Sequence, residues 1–204
     1  MIIQHKKIAI IGGGPGGLTL ARLLQLKGAD VKVYERDINK EVRVQGGALD
    51  LHTESGLAAL AKAGLMNEFK TNYRPGADLI RVVDSQAKIY LDQHAEGSSD
   101  KFGDKNHWPE IDRGPLREML LNSLQANTVV WDSHIQSIES IQDQWKIFFQ
   151  NGNTTTADIV IGADGANSKI RPFVTDIKPR WAGITMLEGV VKDPEKTAPV
   201  IHNL

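Results

Sequence analysis

The sequence predicts an α/β fold built around a Rossmann-like parallel sheet, and three observations lead there. An apolar strand, Lys7–Ile11, runs straight into the glycine-rich turn Gly12-Gly-Gly-Pro-Gly-Gly17. A segment of helical period, Leu18 to Lys27, follows that turn. A second strand, Val31 to Glu35, then ends on an acid. Strand, glycine turn, helix and strand in this order form a βαβ unit whose turn faces the carboxyl edge of the sheet.

Each part of the unit answers a need of a bound dinucleotide. Gly12 allows the tight turn off the strand, Gly14 has no Cβ to hold a pyrophosphate away, and Gly17 lets the helix pack close to the sheet. The helix start aims unpaired N–H groups and a partial positive charge at phosphates. Pro15 suits the first helical turn, where its missing N–H costs nothing. Glu35 stands eighteen residues past Gly17, where a carboxylate can accept the hydroxyl protons of an adenosine ribose and would repel a 2′-phosphate. A glycine turn by itself can be merely structural. Here the strand before it, the helix after it and the terminal acid argue for a ligand.

Gly28 is placed to close the first helix as its C′ residue. A charged loop runs to about Val44, and Gln45–Asp50 turns into an extended piece. Thr53 to Gly64 has helical spacing, with Leu57, Leu60 and Ala61 on one side. Ala77–Asp84 and Ala87–Asp92 alternate as a hairpin around Ser85-Gln86. Gln93 to Glu110 is polar and glycine-bearing, which predicts a surface loop. Ile111–Leu124 reads as an amphipathic helix striped by Leu116, Met119, Leu120 and Leu124, with Asp112 at the N-cap. Thr128–Trp131, His134–Ile141 and Gln144–Phe149 follow as strands of an inserted β-meander, and Ala157–Gly162 as a further buried strand. From Arg180 the pattern turns β-rich (Ile184 to Val191), and Asp193-Pro194-Glu195 marks a turn. The last segment reads as the start of a second unit that is incomplete at the C-terminus.

Bulk properties set limits. The 204 residues are 41% hydrophobic and 24% charged, ordinary values for a globular protein. The formal net charge of −1 gives no electrostatic case for nucleic acid or an anionic membrane. With no cysteine, disulfides, thiolate catalysis and cysteine-held metals are excluded. The six histidines lack metal-ligand spacing. His94 and His107 share an acidic loop with Asp100 and Asp104 and read as solvated. Trp108 and Trp181 read as packing residues, Lys6-Lys7 as a strand edge, and the sequon at Asn153 as chance. No signal peptide and no apolar run of membrane-spanning length is visible, so a cytoplasmic location is expected.

A second constellation is Asp164-Gly-x-x-Ser168-x-x-Arg171, directly after an apolar strand. It places a carboxylate and a flexible turn at the sheet edge where ligands sit. Ser168 can cap the short helix that follows, and Arg171 can pair with Asp164 or reach a phosphate. Alone, the motif reads first as a capped strand-to-helix turn, and the glycine fingerprint reverses that preference. Arg113 and Arg117, spaced i, i+4, repel slightly on a bare helix, and Arg113 opposes the helix dipole at about 0.3–1 kcal/mol. An anion at that helix start would remove the penalty, and a solvated face would ignore it.

Gly12–Gly17 with Glu35-Arg36, Gly46-Gly-Ala-Leu-Asp50-Leu-His52, Asp112-Arg-x-x-Leu-Arg117 and Asp164-Gly165 together resemble the class A, aromatic-hydroxylase type of flavin monooxygenase. Val33–Asp37, Leu121–Leu124 and Phe173–Asp176 look closest to the tetracycline-inactivating members, and the similarity runs over residues 6–191. The resemblance implies a glutathione-reductase-type FAD-binding sheet over residues 1–176 and, from 177 to 204, the opening of a β-rich substrate domain. It implies that Gly12, Gly14, Pro15, Gly16 and Gly17 hold the FAD pyrophosphate, with Glu35 at the adenosine ribose and Arg36 beside the adenine. Arg43 would lie near the flavin and the transient NAD(P)H donor, and Asp50 on the flavin side. Arg113 would reach the phosphate-ribityl region, and Asp164 would border the groove shared by FAD and NAD(P)H.

The implied reaction inserts one oxygen atom of O2 into a small organic or antibiotic-like substrate through a flavin C4a-hydroperoxide. The cofactor carries that chemistry, so no catalytic side chain is named. The family's second flavin motif, a Gly-Asp pair with a later glycine-rich loop, has no counterpart here. The chain therefore reads as the N-terminal part, for which a complementary C-terminal polypeptide is a conceivable partner. Two other functions fit the residues: an NAD-dependent dehydrogenase with Glu35 on the NAD ribose, and a non-catalytic fragment or split subunit.

Overall fold

In the computed structural model, residues 3–42, 47–93, 102, 107–185 and 191–202 are described. Four strands form a parallel sheet in the order β12-β1-β2-β8, from β1 (Lys7–Ile11), β2 (Asp30–Tyr34), β8 (Val129–Val130) and β12 (Ile159–Gly162). All three pairings are parallel, so all four carboxyl ends open on one edge. Residues of β1 alternate between two cores. Ile8 and Ile10 face a helical layer, and Ala9 and Ile11 face a second sheet. A strand covered on both sides reads as a continuous apolar run, as this one does.

The helical layer consists of α1 (Pro15–Leu26), α2 (Ala58–Ala63), α3 (Met66–Asn72) and α4 (Arg113–Ser123). Leu18, Leu60, Phe69 and Leu120 are almost fully enclosed there, and burying such a side chain contributes about 1.5–3 kcal/mol. The end of α1 is a Schellman closure: Gly28 N–H donates to Gln25 O (2.9 Å) and Ala29 N–H to Leu24 O (3.1 Å). Arg22 of α1 donates to Ala63 O (3.3 Å) and Ser123 O (2.8 Å), supplying donors to the last carbonyls of α2 and α4.

Several elements depart from the sequence reading. Residues Thr53–Leu57 form a π-helical turn before α2. The wider turn changes the phase of the helix, so Ala63 is buried and Ala61 exposed. Ile111 and Asp112 belong to β7 (Glu110–Asp112), the centre of a small antiparallel sheet with β3 (Ala48–Asp50) and β4 (Tyr73–Arg74). Asp112 occupies the N-cap position of α4 but makes no capping hydrogen bond. Its Oδ1 accepts from Arg74 Nη1 instead (3.3 Å).

Part of the polar stretch expected to be a surface loop is packed inward. His107 and Pro109 are buried, and His107 meets the rings of Tyr73 and Phe102 edge-on. The residues 94–101 and 103–106, including His94, lie outside the described residues. Trp108 is half exposed and stacks on His52, with centroids 4.7 Å apart.

The apolar run 157–162 is two strands. β11 (Thr154–Ala157) pairs antiparallel with β10 (Gln144–Phe149), which pairs with β9 (Ile135–Ile141). The chain then turns at Asp158 into parallel β12. Asp158 fixes that pivot by donating its N–H to Lys7 O (2.9 Å) while its carboxylate accepts Lys7 N–H (2.7 Å). The Lys7 N–H bond holds the Asp158 carboxyl below its ordinary value, with Gln144 adding to the effect.

The chain falls into two compact units, Met1–Asp78 with Asp100–Ile177, and Leu79–Ser99 with Lys178–Leu204. The second contains a hairpin of β5 (Arg81–Val83) and β6 (Ile89–Asp92), close to the expected one, closed by the Arg81–Asp92 ion pair (3.0 Å). Asp84 accepts the N–H groups of Gln86 and Lys88 in its turn. Of the β-rich run expected from Arg180, residues 180–185 hold no strand, and 186–190 lie outside the described residues. The expected turn at Asp193 opens a short helix, α5 (Pro194–Thr197), followed by α6 (Pro199–His202). Trp181 is 80% exposed rather than packed. Among the described residues no helix is long and apolar enough to cross a membrane.

Candidate dinucleotide-binding site

At the carboxyl edge of the parallel sheet lies an open cleft of about 360 Å³, in the size range of ligand pockets. Its floor is the glycine turn. Gly12 has φ +109°, and a Cβ there would overlap the Ala163 carbonyl. A Cβ on Gly17 would overlap the Gly12 carbonyl, so the helix start packs directly on the strand end. At Gly14 a Cβ would meet nothing within 4 Å. That position therefore needs no glycine for packing, and it borders the cleft, where close approach of a ligand is the remaining use. Gly14 is the N-cap residue of α1 and Pro15 its first residue, so the first amides of the helix have no partner within it.

Glu35 directly follows β2 and lines the cleft while only 2% exposed. Its Oε2 accepts Gly13 N–H (2.5 Å) and its Oε1 accepts Asp37 N–H (3.1 Å). The acid that the sequence assigns to a ligand therefore also braces the glycine turn. Arg36 is exposed and lines the same cleft.

On the β12 side stands Asp164. Its Oδ2 accepts Lys169 N–H (2.7 Å), and its Oδ1 is buried without a hydrogen-bond partner. Ser168 Oγ accepts the N–H groups of Ile170 (3.1 Å) and Arg171 (3.0 Å), just ahead of a 3₁₀ turn over Arg171–Phe173 whose N-cap position is Ile170 rather than Ser168. Arg171 does not pair with Asp164. Its guanidinium donates to Ala166 O (2.8 Å).

The cleft gathers Gly12, Gly14, Glu35, Arg36 and Asp164 of the expected residues. Pro15, Gly16, Gly17, Asp50 and Arg113 are not among its lining residues. Asp50 lies on β3 and bonds His52 Nε2 (3.0 Å), and Arg113 is exposed at the start of α4. Arg43 lies outside the described residues. Of the Arg113–Arg117 pair, Arg117 finds its partners within the chain. Arg117 is buried, donates to Asp37 Oδ2 and Lys40 O (both 3.1 Å), and lies over the Trp131 ring at 5.3 Å.

Further residues that line the cleft include Ser133, His134, Asn167 and Lys169. The first two follow β8, brought there by the pairing of β8 with β2 and by the Ser133 N–H donating to Glu35 O (2.8 Å). Asn167 and Lys169 lie inside the Asp164–Arg171 motif, so its position at the sheet edge was their signal.

Comparison with known proteins agrees with this geometry. Residues 5–178 match the family model described as FAD binding domain. Monooxygenase penA of Penicillium thymicola is 30% identical over 192 residues, which cover 87% of this chain and 42% of that protein. Tetracycline destructase Tet(51) superposes with a TM-score of 0.63 at 26% identity, covering 84% of this chain and 42% of its own. Klebsiella pneumoniae HpxO, crystallised with FAD and uric acid, shares the fold with a TM-score of 0.67 at 21% identity, over 87% of this chain and 44% of its own. The chain thus spans less than half the length of these proteins. With its β1–Gly12–α1 turn, Glu35 and the Asp164 turn inside the matched region, it belongs to the FAD-binding domain family.

Proposed function

We propose that this chain is the FAD-binding part of an FAD- and NAD(P)H-dependent monooxygenase that places one oxygen atom of O2 into a small organic substrate. The observation that carries the reading is the cleft in which Gly14, at the start of α1, and the Glu35 carboxylate face one space across the ends of β1 and β2. FAD fits the residues present. Gly14 leaves room for a phosphate, the first α1 amides supply donors, and Glu35 and Arg36 stand where a ribose and an adenine would follow.

In this reading Gly12, Gly14, Pro15, Gly16 and Gly17 seat the diphosphate, while Glu35 accepts from the ribose hydroxyls and Arg36 covers the adenine. Asp164 closes the β12 end. Arg43, Asp50 and Arg113 serve the flavin half. The pairing of Ala48 with Asp112 supports that grouping, because it sets the start of β3 beside the residue preceding Arg113. Bound FAD supplies the electron transfer from NAD(P)H and the activation of O2. The chain's own residues bind, orient and shield it.

The tetracycline destructase likeness makes an antibiotic-like polycycle the substrate class to try first. Residues 177–204 would open the substrate-covering part, and a C-terminal polypeptide would complete the enzyme. A cytoplasmic setting belongs to the same proposal. Titration of the purified chain with FAD, followed by quenching of flavin fluorescence, tests the reading, with NAD as the comparison. Saturable FAD binding is expected. Saturation by NAD with none by FAD would make it a dehydrogenase-type domain instead.

A further inference from the structure

Along the sheet edge the strand order is β12-β1-β2-β8, which gives the cleft a direction. Gly12 to Gly14 follow β1, Glu35 and Arg36 follow β2, and Ser133 and His134 follow β8. With a ribose at Glu35 and phosphates at Gly14, the adenine extends toward β8 and the rest of the cofactor toward β12. Just beyond β12, Lys169 is the only lysine in the wall of the cleft among the described residues.

Lys169 is exposed, and no carboxylate among the described residues forms an ion pair with it. Its backbone is nonetheless held firmly. The Lys169 N–H donates to Asp164 Oδ2 (2.7 Å), and the neighbouring Ser168 hydroxyl ties down residues 170 and 171. A long cationic side chain is thus anchored at its root on the phosphate side of the cleft. Arg36, the other cation lining the cleft, follows β2 on the opposite side of the glycine turn.

We infer that Lys169 is a diphosphate-binding residue, reaching from the β12 side of the cleft to the cofactor phosphates that sit on the Gly12–Gly14 turn. Asp164 is the positioning residue for it, since its carboxylate holds the Lys169 backbone. The inference rests on the FAD reading above and adds a residue that its glycine motif does not contain. A cation at this point complements the α1 amides, which are neutral donors with only partial charge.

The test compares adenosine, ADP and FAD binding by calorimetry in wild-type chain, Lys169→Met and Lys169→Arg. Lys169→Met should weaken ADP and FAD by about 5-fold at low salt, as expected for one partly solvated charge on a phosphate. Adenosine binding should not change, and Lys169→Arg should restore ADP affinity. The ADP difference should shrink between about 0.02 and 0.5 M NaCl as screening grows. Because the side chain is exposed, an unchanged Tm confirms that folding is not involved. Equal ADP affinity in wild type and Lys169→Met overturns the inference, and so does an equal loss for adenosine. Wild-type chain that binds neither ADP nor FAD overturns the cofactor reading instead.

Discussion

Glu110 carries a charge that the fold makes costly. It sits on β7 between Asp50 on one side and Arg74 on the other. Burial raises its carboxyl above the ordinary 4.5, and the carboxylates of Asp50, Asp78 and Asp112 add to that against the opposing Arg74. The folded state therefore binds this proton more tightly than the unfolded chain. Its ionisation removes stability as pH rises through the folded value, and the full penalty is present at neutral pH. Glu110→Gln mimics the protonated form. It should raise Tm at pH 7 by about 2 °C and lose that advantage as pH falls well below the ordinary 4.5, where both states become protonated. Tm measured across that range checks it, and an advantage constant with pH would contradict the account. Glu35 shows the other side of residue-scale reasoning. Its identity and place were readable from sequence, but its bond to Gly13 N–H was not, since the glycine turn and the end of β2 meet only through the β1–β2 pairing.

Between elements, the buried Arg117 joins α4 to the loop after β2. Its side chain is 4% exposed and that of Asp37 is 12% exposed. Removing one member of such a pair strands charge in a dry setting. Arg117→Met should cost about 3 kcal/mol in urea unfolding, and the double change Arg117→Met with Asp37→Leu should recover a good part of it. A single-variant cost below roughly 1 kcal/mol, typical of a surface pair, would show that the clamp is solvated. Helical period placed Arg117 on α4 correctly. Its partner lies eighty residues earlier in sequence, beyond any local pattern. The π turn at Thr53–Leu57 was hidden for a related reason. Hydrophobic spacing marks which residues want burial, but a widened turn alters which of them reach it.

For the molecule as a whole, the cleft unites segments from four strand ends that are far apart in sequence, from Gly12 to Lys169. A ligand that spans them binds only the folded state. FAD at 100 times its Kd should therefore add about 2.7 kcal/mol to the stability of the unit that holds the cleft. A rise in Tm that grows with FAD concentration, and is absent with riboflavin, would locate the gain in the adenosine diphosphate half. An equal rise with riboflavin would place it elsewhere.

The sequence alone determined the β1–turn–α1–β2 unit and the chemistry of its glycines and terminal acid, because strand period, turn stereochemistry and helix polarity act within a few residues. The order of the sheet, the pivot at Asp158, the burial of Arg117 and His107, and the cleft's outer walls were decided by tertiary structure. Those features depend on which distant segment supplies the hydrogen-bond or charge partner, and that choice is made only when the layers pack.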